Sequence, residues 1–148
     1  MTHRGSILLV DDEEKILKAL GRALRNAGHA VVETISPRNA QRLLAERTFD
    51  VLVVDNMMPE LSGLDLIREF VASTPEQERP QILMMTAHAT VESAIEAMKL
   101  GALDYLQKPF EIEELLVVVR RALDHQRLRT DYRYLVSERD DNWDGAGA

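Results

Sequence analysis

The sequence predicts an α/β fold, a five-stranded parallel sheet in the order 2-1-3-4-5, doubly wound by helices. Three observations carry that expectation. Five short apolar runs alternate with segments whose apolar residues recur at helical spacing, the pattern of β–α units with right-handed crossovers. The third run, Val51 to Val54, is apolar without a break, as in strands covered on both faces. Finally, the runs empty into polar residues at one end, where open α/β sheets place their ligand sites.

Each element has its own justification. Ser6 to Val10 is the first run and ends in Asp11, Asp12 and Glu13. Ile16, Leu17, Leu20, Ala23, Leu24 and Ala27 follow at helical spacing, until Gly28 stops the helix. Ala30 to Thr34 is the second strand. Ser36-Pro37 opens a helix, an N-cap followed by proline in the first turn, with Ala40, Leu43 and Leu44 as its buried face. The third strand ends at Asp55, and Pro59 and Gly63 mark a loop. The next helix carries Leu64, Leu66, Ile67, Phe70 and Val71. Thr74 to Pro80 is a polar loop. Ile82 to Met85 is the fourth strand, ending at Thr86. Val91, Ala94, Ile95 and Met98 mark a helix capped by Thr90 and closed by Gly101. Tyr105 and Leu106 lie in a short fifth strand ending at Lys108-Pro109. The last helix starts near Glu111.

Composition narrows the class. The chain has 148 residues, 45% hydrophobic and 29% charged, enough for one domain with a real core. There is no cysteine, which excludes disulfides and thiolate metal sites. The histidines His3, His29, His88 and His125 lack metal-ligand spacing and read as surface or loop residues. No apolar run approaches the roughly 20 residues that span a bilayer. The N-terminus enters a strand at once without a cleavable leader pattern, so a cytoplasmic location is the default expectation. A net charge of −7 disfavours direct nucleic-acid binding by this segment.

With the strands in the order 2-1-3-4-5, the first and third are neighbours, and Asp11, Asp12 and Asp55 crowd one crevice. Each has a plainer reading: Asp11 and Asp12 suit the first turn of the following helix, and Asp55 could simply start a turn. Their joint placement favours a site. Three carboxylates this close repel one another unless a cation sits among them. An oxygen-only ligand set favours a hard divalent ion, magnesium above all. Thr86 adds a hydroxyl and Lys108 a fixed positive charge. Together they form a receptor for a phosphoryl group, with the middle carboxylate placed to act as nucleophile and form an aspartyl phosphate.

The chain resembles the two-component response-regulator receiver domains. The matching motifs are VDDE (Val10 to Glu13), VDNMMPELSGLDL (Val53 to Leu66), MTA (Met85 to Ala87) and MKLGALDYLQKPF (Met98 to Phe110). They span Ile7 to about Leu123, and no position among them departs from the family pattern. The resemblance implies a flavodoxin-like, CheY-like (βα)5 fold. It implies Asp55 as phosphoacceptor, Asp12 and Asp11 as magnesium ligands, and the backbone carbonyl of Met57 as a further ligand. It implies Thr86 and Lys108 on the phosphoryl oxygens, Tyr105 as an aromatic switch coupled to Thr86, and a cis bond at Lys108-Pro109. A sensor histidine kinase is then the donor, and the surface around the fourth helix and fifth strand changes partners. The resemblance further implies that the domain is a phosphoacceptor switch, self-catalysing phosphotransfer and slow dephosphorylation, and not an enzyme with an external substrate.

Within the family, the stretch from Met98 to Leu123 and the long helical tail look like the receivers of NtrC-type transcription activators. There, AAA+ ATPase and DNA-binding effector domains follow, and this chain stops before any such domain. A stand-alone phosphorelay or docking regulator is the alternative. A further alternative is a magnesium-dependent phosphatase of the haloacid-dehalogenase type, but that class carries Asp-x-Asp after its first strand. Here Asp55 follows the third strand, and position 57 is methionine.

Residues 1–125 are expected to form the receiver domain, and 126–148 a helical extension with a disordered acidic tail. Leu115, Leu116, Val119, Ala122 and Leu123 should face the sheet. Leu128, Tyr132 and Leu135 continue the spacing beyond it. An isolated overhang is marginal in water, so that stripe is expected to pair with a second chain as a homodimer.

Overall fold

The structure is a computed structural model that describes the backbone of residues 5–147, and the side chains of residues 5–130 and of Leu135. Its elements are β1 (Ser6–Val10), α1 (Glu14–Asn26), β2 (Ala30–Thr34), α2 (Pro37–Glu46), β3 (Val51–Asp55), α3 (Gly63–Ser73), β4 (Gln81–Thr86), α4 (Val91–Lys99), β5 (Ala102–Gln107) and α5 (Ile112–Gly147). The strands form one parallel sheet in the order β2-β1-β3-β4-β5. This is the predicted doubly wound topology.

Successive strand residues point to opposite faces, and that alternation splits the core in two. Ile7, Leu9, Val51, Val53, Leu83 and Met85 meet Leu17, Leu20 and Leu24 of α1 and Leu115, Val119 and Ala122 of α5. Leu8, Val10, Leu52, Val54, Ile82 and Met84 meet Ala40 of α2, Leu66 and Ile67 of α3 and Ala97 of α4. Each fully buried Leu, Ile or Val contributes about 1.5–3 kcal/mol, so the central strands anchor whatever they carry at their ends.

Side chains close the starts of α2, α3 and α4. Ser36 Oγ accepts from Asn39 N at 3.1 Å, and Ser62 Oγ from Asp65 N at 3.1 Å. Thr90 and Ser93 form a reciprocal capping box on α4. Gly28 and Gly101 follow α1 and α4 with φ of 98° and 105°, a conformation costly for other residues.

The structure differs from the sequence reading in four places. The polar loop holds a 3-10 turn at Glu76–Glu78. β5 runs from Ala102 to Gln107, well beyond its apolar pair, because pairing with Ile82 through Thr86 of β4 carries it across the polar Asp104. Along α4, Val91, Ile95 and Met98 are exposed, and the small side chain of Ala97 is buried instead. That helix packs on the rim strand β5, which leaves these three side chains uncovered. The backbone of α5 stays helical to Gly147, where the composition suggests an irregular tail from Asp140. No proline or glycine interrupts the chain between Phe110 and Gly145, so nothing local ends the helix. Tyr132 and the acidic tail side chains lie outside the described residues.

Candidate functional site

The carboxyl ends of four strands bring the site residues to one edge. Val10 pairs with Val54, so Asp11 leaves β1 beside Asp55, the last residue of β3. Asp55 pairs with Met85, which brings the end of β4 and Thr86 alongside. Lys108 leaves β5 with its N–H donating to Thr86 O at 2.8 Å.

Asp11, Asp12 and Asp55 each offer an oxygen, and these oxygens lie within 4.8 Å of one another. Asp11 and Asp55 are buried, at 0% and 3% exposure, while Asp12 is half-buried. Lys108 Nζ reaches in from the fifth strand, 2.6 Å from Asp11 Oδ2 and 3.7 Å from Asp55 Oδ2. Asp11 Oδ1 accepts from Glu13 N at 2.9 Å, so both of its oxygens are engaged. Asp55 Oδ1 accepts a long hydrogen bond of 3.4 Å from Met57 N.

Burial pushes the Asp55 carboxyl up from its ordinary 3.8 to about 6; Lys108 pulls it down, Asp11 pushes it further up, and Met57 N–H and Asp12 have smaller opposite effects. A charged oxygen held in a dry, acid-rich crevice is a poor resident without a cation. The donor chemistry fits a hard divalent ion: oxygen atoms only, clustered, with more negative than positive charge among them. Asp11, Asp12 and Asp55 are the residues that could hold it.

The loop after Asp55 is folded by its neighbours. Asn56 O accepts from Gly63 N at 3.1 Å, and Asn56 Oδ1 from Leu64 N at 3.0 Å. A Cβ at Gly63 would lie 2.5 Å from Asp55 O, so only glycine lets α3 start this close to the acid. Leu61 N donates to Pro59 O at 2.8 Å across Glu60, whose φ is 72°. That is a γ-turn of the strained hand.

The other sequence-derived candidates are placed as follows. Thr86 is fully buried, and its Oγ1 accepts from His88 N at 3.2 Å. Tyr105 is half-buried on β5 and its hydroxyl sits 2.8 Å from Ser93 Oγ on the first turn of α4. The Met57 side chain is exposed, and its backbone N–H is the group that meets Asp55. The Lys108-Pro109 bond is cis. Sequence reasoning missed Asn56, which ties the loop to α3, and Ser93, which ties Tyr105 to α4. An asparagine directly after the strand-end acid and the Thr-x-x-Ser spacing were the available signals. A groove of about 1070 Å3 lies at the opposite end of the strands beside Phe49, Phe70 and Pro80, and is lined by none of the acidic cluster.

Residues 7–120 match the model of the response regulator receiver domain. The chain is 35% identical over 143 residues to the regulatory protein AtoC of Escherichia coli K12, covering 97% of this chain and 30% of that protein. It is 37% identical over 124 residues to the DNA-binding transcriptional regulator NtrC of the same strain, covering 82% of this chain and 25% of that protein. The crystal structure of a response regulator receiver domain from Clostridium thermocellum superposes with a TM-score of 0.75 at 34% identity, covering 83% of this chain and 97% of the other. The chain thus spans less than a third of the length of these curated relatives.

Proposed function

The chain belongs to the response regulator receiver domain family, and from that premise we propose that Asp55 accepts a phosphoryl group from the phosphohistidine of a sensor kinase. One observation carries the assignment. Asp55 is the buried, strand-end carboxylate that stands between two further acids and Lys108. An Asp55 oxygen attacks phosphorus, the new O–P bond forms as the N–P bond breaks, and the histidine nitrogen leaves with the bonding pair. Lys108, freed from part of its pairing with Asp11, neutralises the incoming phosphoryl oxygens, and the Thr86 hydroxyl donates to one of them. Asp11, Asp12, Asp55 and the main-chain carbonyl of Met57 would hold magnesium, which when bound supplies charge neutralisation at the transferring group.

The consequence is a switch. An aspartyl phosphate adds about one negative charge and new acceptor oxygens beside Thr86. Thr86 moves towards them, Tyr105 gives up its present partner Ser93, and the surface of α4 and β5 is remade. The exposed Val91, Ile95 and Met98 are the apolar groups available to a changed partner there. Likeness to NtrC and AtoC supports a transcription-activating effector as the controlled element, in a longer protein of the cytoplasm. Exposed Leu128 and Leu135, seven residues apart on α5, support a homodimer through that helix.

The test is phosphorylation by acetyl phosphate or a kinase phosphohistidine with magnesium, read by amide chemical shifts. Wild type should shift along α4 and β5, while Thr86→Ala should take up phosphate and shift less. Equal shifts in both proteins would break the coupling. Turnover of a simple phosphomonoester would instead favour a phosphatase.

A further inference from the structure

The last buried apolar side chain of α5 among the described residues is Leu123. Beyond it, the apolar side chains among the described residues of α5, Leu128 and Leu135, are exposed. Polar residues fasten the helix to the domain, Gln126 and Arg129 among them. Arg129 donates through Nη1 to Glu76 O at 3.2 Å and through Nη2 to Arg79 O at 2.5 Å. Gln126 accepts from Gln81 Nε2 at 3.1 Å and donates to Arg79 O at 3.5 Å. Both are half-buried, while Arg127, Leu128 and Thr130 are exposed.

The receiving loop is itself fastened. Arg79 Nε donates to Thr74 O at 2.8 Å and Nη2 to Val71 O at 2.9 Å, so its guanidinium closes the C-terminus of α3. One residue therefore joins two helices. Its side chain grips α3, and its carbonyl is gripped by α5. Hydrogen bonds from a guanidinium are charge-assisted and directional, and planar double donation fixes orientation where a lysine would not.

We propose that Gln126, Arg129 and Arg79 form a bracket that fastens the α5 extension to the loop between α3 and β4 and fixes its rotational phase on the domain. Gln126 and Arg129 are three residues apart and share one face of α5. Leu128 and Leu135 are seven apart and share another, roughly 140° round the helix at 3.6 residues per turn. Fastening the first face to the loop turns the leucine face away from the domain. The bracket thus decides on which side a neighbouring helix or a following domain must lie. Gln126, Arg129 and Arg79 are positioning residues, remote from the acidic cluster, and the inference holds whether or not Asp55 is the phosphoacceptor.

The full 148-residue chain tests this directly, by amide hydrogen exchange and by spin-label distances. The chain has no cysteine, so Ala72→Cys on α3 and Thr130→Cys on α5 can be labelled without background, and an excess of unlabelled protein suppresses distances between chains. Arg129→Ala should raise exchange at residues 124–130 about tenfold or more and broaden the distance distribution, leaving β1 and β3 amides as in wild type. Arg129→Lys should recover only part of the narrow distribution. Arg79→Ala, which leaves the carbonyl but frees the loop from α3, should broaden it as Arg129→Ala does. An unchanged distribution in Arg129→Ala would overturn the bracket. So would exchange rising by the same factor in β1 and β3, which would mean a general loss of stability.

Discussion

Replacing Asp55 by asparagine should stabilise the metal-free protein at neutral pH. The carboxyl titrates at about 6 in the folded chain against an ordinary 3.8. At about 1.4 kcal/mol per pH decade, that difference is worth up to about 3 kcal/mol. The sign follows from proton binding. A carboxyl whose folded value is raised holds its proton longer in the folded state, so the penalty is absent below about pH 3.8. It grows as pH rises between 3.8 and 6 and is complete above 6. Asparagine removes the charge and with it the penalty. For a domain of this size about 1 kcal/mol moves the melting temperature by roughly 2–4 °C, so Asp55→Asn should melt up to about 6–12 °C higher at pH 7.5 in chelator. The gain should shrink towards zero as pH falls to 4. Added magnesium should reverse the ranking in part, since an ion bound only by the folded state stabilises wild type. Thermal melts across pH, with chelator and with magnesium, read all of this. Equal melting temperatures for the two proteins in chelator at pH 7.5 would refute the claim that Asp55 is held charged at a cost.

Lys108→Ala leaves Asp11 without its buried partner and should destabilise the chain by about 3 kcal/mol in urea unfolding, the cost of breaking a buried pair. The same change withdraws the influence that lowers Asp55, so its titration, followed by carboxyl carbon NMR, should move upward. Gly63→Ala places a methyl 2.5 Å from Asp55 O and should cost about 1–3 kcal/mol while slowing phosphorylation by acetyl phosphate. Removing residues after Gln126 should leave phosphorylation intact and give a monomer by sedimentation. A full-length chain that is already monomeric at high micromolar concentration would contradict the helix-mediated dimer.

Much of the site's layout is legible because it is local. Asp55 ends an unbroken apolar run, Asp11 and Asp12 end another, and Thr86 and Lys108 end two more. Once the strands are ordered, all of them share an edge. What the sequence hides is non-local or depends on which face is covered. Helical spacing marks Val91, Ile95 and Met98 as a stripe, but only packing on β5 shows that the stripe is left to solvent. The hydrogen bond between Tyr105 and Ser93 depends on how α4 is set over β5. Glu60 carries no sign of its positive φ, since the turn forces it on a residue that does not favour it. Arg129 binds main-chain carbonyls some fifty residues away, and a carbonyl has no letter in the sequence.

Site mapping decides whether Asp55 is the phosphoacceptor. The full chain, treated with acetyl phosphate and magnesium and digested rapidly in acid, is read by tandem mass spectrometry. One phosphoryl group per chain is expected, on Asp55, absent from Asp55→Asn and from the protein treated in chelator. Undiminished phosphorylation of Asp55→Asn at another residue would contradict it.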